Sequence, residues 1–422
     1  SAFTYYLGFK VNSGEYKVMG LAPYGSPKYK DIIISKLIDL KEDGSFRMNM
    51  KYFDYPTGLR MTNKNFSKLF GKPVRDSETG KIDQFHMDIA ASIQSVIEEI
   101  ILKIVENISK EYQIKNLCLA GGVALNCVAN GKIQEKNLFE NIWIQPAAGD
   151  AGGALGAALA LNYVELNRDR EIKQNKMKGS YLGPKYSEKE IEKELNINEA
   201  KYIKLDEKDL LLEVCKQLSE NKAVGWFQGR MEYGPRALGN RSIIADPRNN
   251  DMQKNLNLKV KYRESFRPFA PAVLSEKVQN YFNINCDSPY MLLVSKINDK
   301  IKKNFESTKK INQITDKINQ IRSSLPAVTH VDYSARIQTV HRETNQKFYD
   351  LIKMYDKLHS CPVLINTSFN IRGEPIVNSP TDAFRCFMGT NLDILVIENF
   401  ILYKNEQKKS SFNNYKHKFK LD

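Results

Sequence analysis

The sequence predicts a chain of α/β and α+β class built from two parts in tandem. Three observations carry that prediction. The chain has 422 residues, too many for one ordinary core. Two apolar strands each end in glycines and run into a helix, at Asn116–Asn126 and Ile142–Gly156. A third buried strand, Ala223–Phe227, opens a glycine-punctuated stretch dense in arginine.

Composition narrows the function classes. Hydrophobic residues make up 42%, enough for a sizeable core. No apolar run approaches the ~18 residues a membrane helix needs. The opening Ser1-Ala-Phe-Thr4 has neither a basic n-region nor an initiator Met, so it reads as mid-protein sequence and a fragment is expected. Cysteines 118, 127, 215, 286, 361 and 386 lack paired spacing and read as reduced thiols of a cytoplasmic protein. The net charge of +14 suits anionic substrates as well as nucleic acid. Part of it lies in Lys404–Lys420, so 406–422 reads as a loose basic tail.

In chain order, residues 1–25 predict a short strand, a turn at Gly14 and a closing Gly/Pro turn. Lys28–Leu40 looks helical, and 41–80 has no clear period. Asp83–Tyr112 is the longest predicted helix, because Ile89, Ile93, Val96, Ile100 and Ile104 keep the helical period. The strand at Asn116 ends in Gly121-Gly122. Glycine adds no side chain there and a helix N-terminus favours anions, so such a turn can approach a phosphate. The second unit repeats the arrangement with Gly149, Gly152 and Gly153. Asp150 stands alone in that otherwise uncharged turn. It is either a helix N-cap or a metal ligand, and the spacing favours the cap.

Asn162–Gly179 turns highly charged and places the boundary between the parts, giving 1–170 and 171–405. Helices follow at Glu188–Leu195 and Glu207–Asn221. Ile297–Ser323 reads as a Lys/Asn/Gln-rich helical insert, a solvated excursion or a lid. Val328–Val340 resembles a strand bent at Tyr333–Ser334. Pro362–Pro375 is a buried strand ending in polar groups, Thr381–Thr390 a helix, and Leu392–Leu402 a final strand.

The arginine stretch holds Arg230, Arg236 and Arg241, with Arg248, Lys261, Arg263 and Arg267 downstream. Few carboxylates interleave, so the cations are not neutralised locally. Guanidinium groups on a glycine-punctuated backbone suit bidentate binding of phosphate or carboxylate oxygens. A merely solvated basic surface would not carry the aromatic and apolar residues that thread this stretch.

Five motifs together resemble the O-carbamoyltransferase family, which includes the cephalosporin, tobramycin and nodulation-factor enzymes. They are Lys17–Gly25, Gly121–Asn126, Gly149–Gly153, Gly229–Arg241, and Asn366–Asn370 with Arg372–Pro375. The resemblance spans nearly the whole chain. It implies the C-terminal portion of an actin-like (ASKHA) ATPase-type domain over 1–170 and a YrdC-like α/β domain with a mixed sheet over 171–405. It also implies that carbamoyl phosphate and ATP form carbamoyl-adenylate, whose carbamoyl group then passes to a hydroxyl of a small-molecule acceptor.

Lys261-x-Arg263 with Ser368-x-Asn370 matches the KxR…SxN pattern of YrdC-type proteins. The residues implied as catalytic are Arg236, Lys261 and Arg267. Those implied to bind substrate or nucleotide are Arg230, Arg241, Arg263, Arg336, Asn366, Thr367, Ser368, Asn370 and Arg372. The glycine turns add Gly121, Gly122, Asn126, Gly152 and Gly153. In the family, two histidines join the acid of the Gly-Asp-Ala-Gly-Gly motif, here Asp150, on a divalent metal, iron in the complete site. None of the five histidines (86, 330, 341, 359, 417) precedes Asp150 in an HxxxH pair, and His86, alone at a helix start, reads as a cap or as an exposed residue. A missing N-terminal segment, or a companion chain supplying it, is therefore an expected partner; a homodimer is allowed, and no membrane or nucleic acid is expected. Two alternatives are a tRNA threonylcarbamoylation-type enzyme and a nucleotide-binding scaffold without turnover.

Overall fold

The computed structural model describes residues 1–171, 177–303, 314–408 and 415–419. The predicted long helix runs over Gln84–Tyr112, started by a capping box between Asp83 and His86. Of the two roles its place in the sequence suggests, His86 takes the capping one, and it is buried rather than exposed. The opening residues do not form a strand. They form helices Ala2–Tyr6 and Glu15–Leu21 and a tight turn Ala22–Tyr24. The reason is spacing: Phe3 and Tyr6 are three apart and share a helix face, where both rings meet Phe66. These residues, with Leu21, Phe70 and Ile89, make a front core.

Residues 30–37 are helical as expected, but 38–48 fold into a small hairpin, β1 (Ile38–Leu40) with β2 (Phe46–Met48). A helix at Lys64–Phe70, capped by Asn63, also lies in the stretch without a period. Strands β3 (Asn116–Leu119) and β4 (Asn141–Ile144) pair in parallel, joined through the helix Cys127–Lys136. Helix Ala151–Ala160 follows β4, and no residue of it is buried. Leu159, Leu161, Val164 and Leu166 are all exposed, as are Trp143 on β4 and Val123 after β3.

Nine strands form the main sheet: β5 (Ile203–Lys204), β6 (Val224–Phe227), β7 (Arg241–Ala245), β8 (Ala270–Leu274), β9 (Leu293–Lys296), β10 (Ser334–Val340), β11 (Val363–Ser368), β12 (Ile394–Ile397) and β13 (Phe400–Tyr403). Their spatial order is β5-β13-β12-β6-β7-β11-β8-β10-β9. The sheet is mixed: β12–β6 and β10–β8 are parallel and the other pairs antiparallel. The predicted single last strand is two, because Glu398 takes φ 48° and turns the chain. The predicted bent strand begins only at Ser334, after Tyr333 at φ 62°. An amphipathic helix, Gln346–His359, buries Phe348, Leu351, Ile352 and Tyr355 on the sheet. Of the predicted insert 297–323, the ten residues 304–313 lie outside the described residues; the described remainder holds one short α-helix, Ile314–Ile318. The tail is not wholly loose: Tyr415 is buried in the main core and its hydroxyl donates to Glu374.

The helix Cys127–Lys136 packs on the edge strand β9 and ties front to sheet. Asn130 Nδ2 donates to the carbonyls of Ala124 and Leu292. Gly131 lies so close that an added Cβ would stand 2.0 Å from the Val294 carbonyl oxygen.

Just past β7, Asp246 accepts from Arg248 Nη2 and from the Tyr355 hydroxyl, both at 2.7 Å. Burial pushes this carboxyl up, but the bonds and charge of Arg248 and the Tyr355 bond outweigh it and hold it low. A lowered carboxyl stabilises the fold above its unfolded pKa, about 4, and loses that effect as pH falls through the folded value. Asp246→Asn should therefore lose about 1–2 kcal/mol in urea unfolding at neutral pH, a figure reduced for the partial exposure of Arg248. The two proteins should converge towards acid; an unchanged gap at about pH 3 would refute the charge-based account.

Candidate active site

A cavity of about 900 Å³ lies between the front segment and one end of the main sheet. Tyr16, Gln94 and Cys127 contribute from the front. Arg236, Lys261, Arg263, Arg267, Arg336, Asn366, Thr367, Ser368, Asn370 and Arg372 line it from the sheet side. Ten of the candidate residues, separated by up to 136 positions in the chain (372 minus 236), thus meet around one space.

Lys261 organises the cavity wall. Its Nζ donates among Ser368 O (2.7 Å), Asn370 O (2.7 Å), Asn370 Oδ1 (2.6 Å) and Ser368 Oγ (3.3 Å). Ser368 Oγ also donates to Asn370 Oδ1 at 2.7 Å, and Asn370 Nδ2 donates to Glu374 O. A buried ammonium needs several acceptors, and a Ser-x-Asn turn presents both side chains and both carbonyls to one point. Burial, then the neighbouring Arg263, push Lys261 well below the ordinary lysine value.

The surrounding guanidinium groups are held by rings and amides more than by acids. Arg263 donates to Asn257 Oδ1 at 2.7 Å and lies 4.9 Å from the Phe269 ring centre. Arg267 lies 4.5 Å from the ring centre of Tyr16, a front residue. Glu264 is shared by Arg372 (3.2 Å), Lys17 (3.7 Å) and Arg267 (3.8 Å). Among the described residues no carboxylate lies within 4.0 Å of Arg236, Lys261, Arg263 or Arg336. The Nε atoms of Arg236 and Arg336 are buried without a hydrogen-bond partner. Burial first, then Arg336, push Arg236 down to about 9. Nine Lys and Arg residues and four acids (Glu98, Glu135, Asp332 and Glu374) line the space, an excess of cations that suits a polyanion.

Arg230 and Arg241 lie elsewhere. Arg230 is exposed and donates to the Gly183 carbonyl. Arg241 is fully buried, 3.5 Å from the Phe227 ring centre, and donates to the carbonyls of Gln228, Asn240 and Pro184. It fastens the turn rather than facing the cavity. Glu232 completes that scaffold: Oε1 accepts from the Leu238 and Asn240 amides at 2.7 and 2.8 Å. The loop that carries Arg236 is thereby fixed from both sides.

The glycine turns stand outside the cavity on the exposed face. Gly121 takes φ 96°, and a Cβ on Gly152 would meet the Ala147 carbonyl at 2.2 Å. Asn126 caps the helix Cys127–Lys136 and shares hydrogen bonds with Gln94. Asp150 occupies the cap position of Ala151–Ala160, yet its exposed side chain makes no cap bond. Spacing thus puts it at the right position, the helix N-cap, but the side chain does not do the capping. No group of three His, Cys, Asp or Glu among the described residues could hold a metal. Asp150 is therefore not joined to a metal centre by these residues.

A sequence profile described as carbamoyltransferase N-terminus matches residues 1–159, and one described as carbamoyltransferase C-terminus matches 215–404. An uncharacterized protein, sll1178, of Synechocystis is 55% identical over 426 residues, covering all of this chain and 69% of that protein. The chain belongs to the carbamoyltransferase family. The nodulation protein NolO of Bradyrhizobium diazoefficiens is 38% identical over 394 residues, with 92% of this chain and 66% of the relative covered. NolNO of Sinorhizobium fredii is also 38% identical, over 94% of this chain and 54% of the relative. The chain thus spans between about half and seven tenths of these relatives. Both family profiles fall on the carbamoyltransferase chain on either side of its charged stretch, and the cavity draws residues from each. No helix among the described residues is long and apolar enough to cross a membrane.

Proposed function

We propose that this carbamoyltransferase chain forms carbamoyl-adenylate in the cavity and serves ATP-dependent O-carbamoyl transfer to a small-molecule hydroxyl. The carrying observation is the set Arg236, Lys261, Arg263 and Arg336, which faces one space with no carboxylate within 4.0 Å among the described residues. Carbamoyl phosphate and ATP are both polyanions, and charge developing on their oxygens is what such donors stabilise. The balance is as follows. Water releases phosphate from carbamoyl phosphate and leaves carbamate. A carbamate oxygen attacks the α-phosphorus of ATP and expels pyrophosphate. The acceptor hydroxyl then attacks the carbamoyl carbon, loses its proton and expels AMP.

In this reading residues 1–170 are the C-terminal portion of an actin-like ATPase-type domain and 171–405 a YrdC-like domain. The parallel β3–β4 pair with its glycine turns supports the first assignment, and the mixed sheet supports the second. Transfer uses the turns at Gly121 and Gly152, completed by residues that cover the exposed face of Ala151–Ala160, from an upstream segment or a companion chain. The test is carbamoyl-phosphate-dependent exchange of labelled pyrophosphate into ATP by the purified chain. Exchange without acceptor is the expected result. Its absence, with carbamoyl phosphate and ATP both saturating, would reject the adenylate reading.

A further inference from the structure

The turn that presents Asn370 to Lys261 is held by a residue of the C-terminal tail, beyond the stretch 215–404 that the family profile matches. Glu374 is the link. Its carbonyl accepts from Asn370 Nδ2 at 2.6 Å, and its Oε2 accepts from the Ile371 amide at 2.8 Å. These two bonds close the turn over Gly373, which takes φ 80°. The Arg372 amide ties the same turn to the Lys261 carbonyl at 3.0 Å. The other carboxylate oxygen, Oε1, accepts from the Tyr415 hydroxyl. A line of hydrogen bonds thus runs from Tyr415 through Glu374 and Asn370 to the Lys261 ammonium.

Tyr415 is 4% exposed, and its ring occupies space that glycine leaves at 389: a Cβ there would stand 2.2 Å from the ring's Cγ. Phe419 packs against it edge-on, with ring centres 5.6 Å apart. The hydroxyl therefore reaches Glu374 on an anchored ring. Packing alone would need the ring but not the hydroxyl. We infer that Tyr415 is a positioning residue for the cavity, acting through Glu374 on the contact between Asn370 and Lys261. The inference rests on the adenylate reading of the cavity and adds to it a part for the tail. Besides Tyr415, Cys386 of the helix Pro380–Met388 and Lys261 act on the Glu374 carboxyl. Burial raises that carboxyl above its ordinary range, and the Tyr415 bond is the largest effect opposing burial. A hydrogen bond to the charged form favours that form. Without the hydroxyl, Glu374 should take up its proton at higher pH. A protonated carboxyl carries hydrogen on one of the two oxygens that accept from Ile371 and Tyr415, so the turn loosens.

Pyrophosphate exchange by the full chain is followed from about pH 5 to pH 8 for the wild type, Tyr415→Phe, Glu374→Gln and the double variant. Tyr415→Phe keeps the ring and its packing. It should move the acid limb of the profile up by about one pH unit, roughly a tenfold loss on that limb, with thermal unfolding nearly unchanged. Gln cannot titrate, so in the Glu374→Gln background the same substitution should shift nothing. Titration calorimetry with carbamoyl phosphate over the same pH range reads the shift without turnover. A wild type that binds but does not exchange therefore rejects the adenylate reading alone. A wild-type profile in Tyr415→Phe, whatever its melting temperature, overturns the assignment and leaves Tyr415 a core residue. A shift that persists in the Glu374→Gln background overturns the route through Glu374. A wild type that neither exchanges nor binds overturns both readings.

Discussion

Arg236→Ala should lower carbamoyl-phosphate-dependent pyrophosphate exchange by about 10²–10³-fold, the usual loss when one charged donor is taken from a developing oxyanion. Arg236 sits in a loop held rigid by Glu232 and Arg241, so truncation removes the guanidinium without releasing the backbone. It also relieves repulsion with Arg336, the second cause of its lowered pKa. Folding stability should thus hold or rise while exchange collapses. That opposition separates a clamp from a structural arginine. Arg241→Ala should show the reverse, since Arg241 spends its donors on the turn carbonyls. Exchange that survives Arg236→Ala within about threefold would remove this residue from the chemistry.

Gly131→Ala should be strongly damaging for a single added methyl group. The new Cβ would stand 2.0 Å from Val294 O and 3.1 Å from its carbonyl carbon, and both are backbone of β9. Neither atom can turn aside as a side chain would. The helix Cys127–Lys136 must therefore lift off the sheet edge or unwind. Overpacking of this kind costs about 1–3 kcal/mol. Lifting it also breaks the Asn130–Leu292 hydrogen bond and moves Cys127 on the cavity wall. Thermal unfolding should shift down by several degrees and exchange should weaken with it. Gly156→Ala is the matched control, because a Cβ there meets nothing within 4 Å and alanine favours a helix. Equal behaviour of the two variants would show that the junction tolerates movement.

Much of this arrangement is readable in the chain. The period of Ile89, Ile93, Val96 and Ile100 marks the long helix, and the two strand–glycine turns mark the parallel pair. The convergence of Lys261 with Ser368 and Asn370 is legible because the motif records a contact between elements distant in sequence. Other features are not. Arg236 and Arg241 look alike as residues of one basic stretch. Only the fold shows that one faces the cavity and the other the turn behind it. The contribution of Tyr16 has no signature, since stacking under Arg267 depends on how the front segment docks. Phe3 and Tyr6 carry their helix signal in a segment too short for a period. The helix Gln346–His359, by contrast, has its signal in the chain, since Phe348, Leu351, Ile352 and Tyr355 keep the helical spacing.

The cavity has one wall from the front segment and one from the sheet, joined by the helix Cys127–Lys136. A ligand that touches both walls therefore acts as a thermodynamic fastener. Binding is linked to docking, and each strengthens the other by the same free energy. At a hundredfold excess over its Kd, a ligand specific for the docked form adds about 2.7 kcal/mol to that form. Filling the cavity then makes the two walls come apart later on heating. The substrate is in this sense part of the joint.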